Sequence, residues 1–122
     1  MAKKQTRIIP KRGEVYLVRF DPTVGHEIQK TRPAVVVQND ILNKFSSVTT
    51  VAAITSKITD RIYPHQVALG KGEGGTLLNS LVLLDQLRSI DLSRLEKHLG
   101  VLDNNTMQKI DEALVLTLGL YR

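Results

Sequence analysis

Five short runs of strand length, each bounded by turn residues, set the first limit on what this chain folds into. GEVYLVRF (13–20) is apolar, β-branched and aromatic, and it stops at the turn signal Asp21-Pro22. PAVVVQ (33–38) and VTTVAAI (48–54) are near-continuous apolar runs, and YPHQVAL (63–69) and SLVLLDQ (80–86) complete the set. Residues of these types fit a pleated, half-buried surface. Between the second and third runs, NDILNKF predicts one helical turn. KGEGG, ahead of the fifth, predicts a loop that glycine keeps mobile.

Beyond residue 90 the period changes. In DLSRLEKHLG, Asp91 reads as a helix cap, Leu92, Leu95 and Leu99 recur at helical spacing, and Gly100 reads as a stop. Asp103 then opens a longer helix, with Met107, Ile110, Leu114 and Leu118 on the stripe that faces the sheet. The expected class is therefore α+β: five strands, mostly joined by short links, followed by helices.

A length of 122 residues closes one hydrophobic core and leaves no room for a second. At 42% hydrophobic and 24% charged, the composition is that of a globular chain, and no apolar run approaches a bilayer span. MAKKQTRIIPKRG lacks the apolar stretch and cleavage site of a secretory signal. There is no cysteine, so neither disulfides nor thiolate chemistry is available, which is compatible with a cytoplasmic location. The net charge of +5 has a local origin. Lys3, Lys4, Arg7, Lys11 and Arg12 carry no acid among them, while the body from Gly13 is formally neutral. We therefore divide the chain into a basic arm, 1–12, and a single domain, 13–122. A tail of this kind is more often a solvated aid to solubility than a nucleic-acid contact, so any case for RNA rests on the body.

Several chemistries lack sequence support. His26, His65 and His98 are dispersed and the acids form no metal-binding pattern, so neither a metal nor any other cofactor is expected. KGEGGTLL has neither the spacing nor the lysine of a phosphate-binding loop, and GxSxG is absent. What remains is a set of polar residues at strand edges. The loop between the first two runs is longer than its connection requires, and it holds His26, Glu27, Gln29, Lys30 and Arg32. Pro33 keeps Arg32 extended, so the backbone sets the direction of a permanently charged fork suited to phosphate oxygens. Surface pairing of Arg32 with Glu27 or Asp21 is an equally good reading of this segment alone. Thr55 and Ser56 emerge where the third run leaves the core, although threonine in a strand is usually there for its β propensity. Asp85, Gln86 and Arg88 follow directly on the apolar SLVLL, and an acid at such a depth needs a partner, either Arg88 or an active site.

In order along the chain, RGEVYLVRFDPTVGHE (12–27), TRPAVVVQND (31–40), VAAITS (51–56), LLDQLRSIDLSRLEKHLGVLD (83–103) and EALVLTLGL (112–120) resemble the MazF/PemK/Kid toxin endoribonucleases of toxin–antitoxin systems. The resemblance implies a small SH3-like, mostly antiparallel β-barrel of the CcdB/MazF type with a C-terminal helix, acting as a homodimer. It implies metal-independent cleavage of single-stranded RNA at a short sequence, and a cognate antitoxin of the MazE kind whose acidic segment blocks the RNA channel. It also assigns catalysis to Arg32 and Thr55, with His26, Glu27 and Asp85 as further candidates. RNA contacts fall to Gln29, Lys30, Thr31, Ser56, Lys57, Gln86 and Arg88, and the channel walls to loops 22–31, 57–64 and 70–76. No aromatic residue is nominated as a base platform. One departure stands out: where the family often reads EQGGxRP, this chain has Glu27-Ile28-Gln29-Lys30-Thr31-Arg32-Pro33, which predicts a stiffer loop and an altered cleavage sequence. A same-fold toxin that poisons a topoisomerase by protein contact, and an RNA-binding module without catalysis, are the competing readings.

Overall fold

The computed structural model describes residues 8–20 and 30–120. Six strands form one antiparallel sheet: β1 (Glu14–Arg19), β2 (Thr31–Val36), β3 (Val48–Thr55), β4 (Gln66–Leu69), β5 (Ser80–Asp91) and β6 (Leu95–Val101), in the order β4-β5-β3-β2-β1-β6. The terminal strands β4 and β6 are not paired with each other, so the sheet is not closed into the expected barrel by a continuous ladder.

The five anticipated strands are all present, with β5 running on to Asp91. The helix expected over 91–100 is not. Asp91 does cap a turn, accepting a hydrogen bond from the Ser93 amide at 2.9 Å, but that turn is a single 3-10 turn, Leu92–Arg94. The chain then becomes β6, pairing with β1 through Leu95 against Val18, Lys97 against Leu17 and His98 against Tyr16. Leucine spacing is the same for an amphipathic helix as for this turn followed by a strand. Pairing with an otherwise open β1 edge decides between them.

β5 also explains how one sheet serves two cores. Its register against β3 jumps between Ala52/Leu87 and Ala53/Leu83, three extra residues on β5. An odd offset reverses which face alternate residues occupy. Val82 and Leu84 accordingly join the cluster with Val15, Val35, Ile54 and Ile110, while Ile90 joins Val18, Phe20, Ala34 and Ala53 on the other side.

Helix α1 (Asp40–Phe45) is capped by Asn39, whose Oδ1 accepts from the Ile41 amide at 2.7 Å. Its buried Asn43 is satisfied by the Gln38 carbonyl, the Gln38 amide and the Thr49 hydroxyl. Helix α2 (Asn104–Leu118) begins as expected, with Asp103 accepting from the Thr106 amide at 2.8 Å, and ends at a left-handed Gly119. Ile110 is buried and Met107 and Leu114 pack against the core, but Leu118, in the last turn, is exposed. Arg12, assigned to the arm by its charge, is built into the fold: Nε donates to the Val37 carbonyl at 2.8 Å, its amide to Asp40, and the guanidinium pairs with Asp111 of α2.

Candidate active site

Arg32 and Thr55 lie just beyond the bonded part of the β2–β3 ladder. In β2 and β3, Ala34 faces Ala53, Val35 faces Ala52 and Val36 faces Val51. Carried two residues further, the same register sets Arg32 across from Thr55, on the sheet face shared by Ala34 and Ala53. Bonded pairing to β3 begins only at Ala34, because Pro33 has no N–H to offer a ladder. The two strands therefore end side by side with their polar residues at the open mouth. Arg32 is half-buried and lies against Val18 on its other side. Thr55 Oγ1 accepts from the Lys57 amide at 3.1 Å, which leaves the hydroxyl proton to donate outward.

The approach to this mouth is tightly held. Lys30 is exposed with φ at 65°, the one non-glycine residue with positive φ among the described residues, and its carbonyl accepts from the Phe20 amide at 3.0 Å. Thr31 stands across from Arg19 at the end of the β1–β2 ladder. Arg88 turns its guanidinium to the chain, with Nη1 donating to the Phe20 carbonyl at 2.8 Å. His26, Glu27 and Gln29 lie outside the described residues.

Asp85 does not occupy the buried position that its apolar neighbours suggest. It is exposed, at the register jump of β5, and Oδ2 lies 3.5 Å from His65 Nε2 rather than against Arg88. Gln86, beside it, is half-buried. Leu81 is the ladder partner of Thr55, and Asp85 lies in the bulged stretch of β5 between Leu83, opposite Ala53, and Leu87, opposite Ala52. Ser56 borders the cleft at the strand ends, and Lys57 is exposed just beyond it.

Planar groups gather on the loop that leaves Thr55. The Arg61 guanidinium lies 5.2 Å from the Tyr63 ring centroid, and Tyr63 stacks on His65 at 5.9 Å with 22° between the planes. Sequence reasoning placed Arg61 and Tyr63 only within the 57–64 channel wall and nominated no base platform, and the alternation at 61, 63 and 65 is the signal that was available.

The expectation of a mobile wall at 70–76 is overturned. A 3-10 turn, Glu73–Gly75, packs against β6 so closely that a Cβ at Gly75 would fall 2.1 Å from the Leu99 carbonyl oxygen. A Cβ at Gly100 would meet Gly74 at 2.6 Å. Here glycine serves close approach rather than freedom. The latched turn closes one side of a cleft of about 520 Å³, to which Arg32, Pro33 and Ser56 contribute the opposite side.

A model of the PemK-like, MazF-like toxins of type II toxin–antitoxin systems matches residues 11–118, and the chain belongs to that family. Endoribonuclease EndoA of Bacillus subtilis (strain 168) is 42% identical over 113 residues, spanning 93% of this chain and 97% of that protein. Among solved structures, MazF from Deinococcus radiodurans superposes with a TM-score of 0.78 at 27% identity, covering 92% of this chain and 98% of the other. A mycobacterial endoribonuclease in complex with its cognate antitoxin gives 0.76 at 27% identity, over 93% and 98% of the two chains. No helix among the described residues is long and apolar enough to cross a membrane.

Proposed function

We propose that this toxin is an endoribonuclease that cuts single-stranded RNA by in-line attack of the substrate's own 2′-hydroxyl, with Arg32 and Thr55 at the scissile phosphate. The observation that carries the reading is the β2–β3 register, which sets a guanidinium and a hydroxyl at adjacent strand ends. RNA holds its nucleophile next to phosphorus, so the protein has to align the strand and neutralise charge. Negative charge grows on the non-bridging oxygens as the bond forms. Donors already fixed at those oxygens therefore stabilise the transition state more than the ground state.

The 2′-hydroxyl loses a proton and the departing 5′-oxygen gains one. Asp85 is exposed in the bulge of β5 and already engaged with His65 at 3.5 Å, which weighs against it as the base. That favours Glu27 as base, with His26 or Arg32 as acid. The remaining contacts assigned above, Gln29 to Thr31 and Ser56 to Lys57, flank these residues in the chain. In this reading the toxin works in the cytoplasm as a homodimer, and a cognate antitoxin restrains it.

Digestion of single-stranded RNA by the purified protein, followed by mapping of the fragment ends, tests the proposal. The expected ends are a 2′,3′-cyclic phosphate and a 5′-hydroxyl, and an RNA with 2′-deoxyribose at the cleaved step stays whole. A 5′-phosphate, or cutting of the deoxy substrate, overturns the route.

A further inference from the structure

Resting on the nuclease reading, we infer that the cleft between the latched turn and β6 seats the nucleotide next to the scissile phosphate, with Lys97 on its backbone and Leu77 and Leu78 against its base. Three observations converge on this cleft.

The first is the exposure of the two leucines. Leu77 is 84% exposed and Leu78 60%, and both line the cleft. They follow closely on Gly75, where the Leu99 carbonyl leaves no room for a side chain, so the turn that presents them is braced against β6. Adjacent apolar side chains displayed to solvent on a braced rim mark a contact surface.

The second is charge. Lys97, His98 and Arg32 line the same cleft, and among the described residues no carboxylate does. His98 is already engaged, with Nε2 3.1 Å from Glu14 Oε2 and its ring edge-on to Tyr16. That leaves Lys97, exposed on β6 across from Leu17, as the cation to meet an anion beside Arg32. Two copies of this face brought together would oppose like charges, whereas a phosphate backbone complements them.

The third is continuity. Arg32 borders the cleft, and Ser56, also in its lining, directly follows Thr55. A strand whose phosphate rests at Arg32, itself in the cleft lining, reaches the cleft by passing over the ends of β2 and β3. There the leucines cover the apolar face of an unpaired base, and the Ser56 hydroxyl is within the same lining to meet a base edge. These residues then select the nucleotide at one position of the cleavage sequence.

The test uses the full chain, a randomised single-stranded RNA read by end sequencing, and a fluorescent oligonucleotide blocked by 2′-deoxyribose at the cleaved step as binding probe. Lys97→Ala is expected to weaken the probe roughly fivefold to tenfold and to reduce the salt slope of binding by about one. The double variant Leu77→Ser/Leu78→Ser is expected to relax the preference at a single position beside the cut. On the parent's best sequence kcat/KM should fall toward the value for RNAs that differ at that one position, while the preference at every other position is kept. If the parent cuts RNA while both variants keep its sequence preference, affinity and salt slope, the inference falls and the nuclease reading stands. The inference falls equally if the variants change only the oligomeric state or antitoxin binding, which assigns the cleft to a protein. A parent that leaves RNA whole sinks the nuclease reading and this inference with it.

Discussion

Arg88 on β5 reaches 68 residues back along the chain to hold the Phe20 carbonyl at 2.8 Å, with its guanidinium 5.9 Å from the Phe20 ring. Arg94 does the same for the carbonyl of Arg19 at 3.0 Å. Two cations thus secure the end of β1, immediately before the loop that carries the proposed base.

Removal of Arg88 is expected to show as lost stability. A part-buried carbonyl loses a charged donor, at about 1.5–3 kcal/mol, so Arg88→Ala should lower the urea midpoint accordingly. Arg88→Lys keeps the charge without the planar fork and should recover only part of it. Urea titrations of the three proteins decide the matter, and an Arg88→Ala midpoint equal to the parent's would leave the contact without energetic weight.

Arg32 and Thr55 invite the opposite pattern, because both sit at an open mouth rather than in a core. Arg32→Ala and Thr55→Ala should each slow RNA cleavage by roughly a hundredfold to a thousandfold, equivalent to about 3–4 kcal/mol of transition-state stabilisation. Thermal midpoints should fall little by comparison, with Thr55→Ala losing only the 3.1 Å bond that tidies the turn at Lys57. Single-turnover rates alongside melting curves separate the two quantities. Comparable losses in both would make these residues structural.

The strands were legible because burial on a pleated sheet leaves a local trace: Val15, Val35, Val36, Val51 and Ala52 are fully buried in the runs that announced them. The proposed partnership of Arg32 and Thr55 was only half legible. Its residue types pointed to a phosphate, but the register that joins them is a long-range property of β2 against β3. β6 stayed hidden because Leu92, Leu95 and Leu99 satisfy a helical period as well as they satisfy a turn and a strand, and nothing local reveals an unpaired β1 edge. With β6 hidden, Lys97 could not be placed at a cleft. Glycine misled in the same way at 72–75: the sequence reports that side chains are missing, whereas the reason, the Leu99 carbonyl, lies 24 residues away at Gly75.

That contrast can be measured within one turn. Gly72 and Gly75 both have positive φ, 95° and 78°, but a Cβ at Gly72 meets nothing within 4 Å while one at Gly75 strikes the Leu99 carbonyl. Gly72→Ala should therefore cost only the left-handed backbone penalty, about 1–2 kcal/mol. Gly75→Ala adds a backbone collision that no rotamer relieves, so it should cost distinctly more, on the order of 3 kcal/mol or above. Chemical denaturation of both variants provides the comparison, and equal losses would mean that the turn is not pressed against β6.

Tyr16 supplies a pH dependence whose direction follows from its surroundings. Burial first, and then the charge and hydrogen bond of Glu14, push its phenol from the ordinary 10.0 up to about 12. The neutral form is the one favoured in the fold, so below pH 10 neither state has released the proton and the shift leaves stability unchanged. Between about 10 and 12 the unfolded chain gives up a proton that the folded chain keeps. Stability therefore falls across that window, by up to about 2 kcal/mol from this group once solvent screening is allowed for. Tyr16→Phe should lose that part of the alkaline slope while other groups continue to titrate. Glu14→Gln, which removes the neighbouring negative charge, should move the onset of Tyr16 ionisation in the folded protein toward the ordinary value. Ultraviolet difference titration of the phenolate and urea unfolding across the same range read the two effects separately. An alkaline slope identical in the parent and in Tyr16→Phe would refute the assignment.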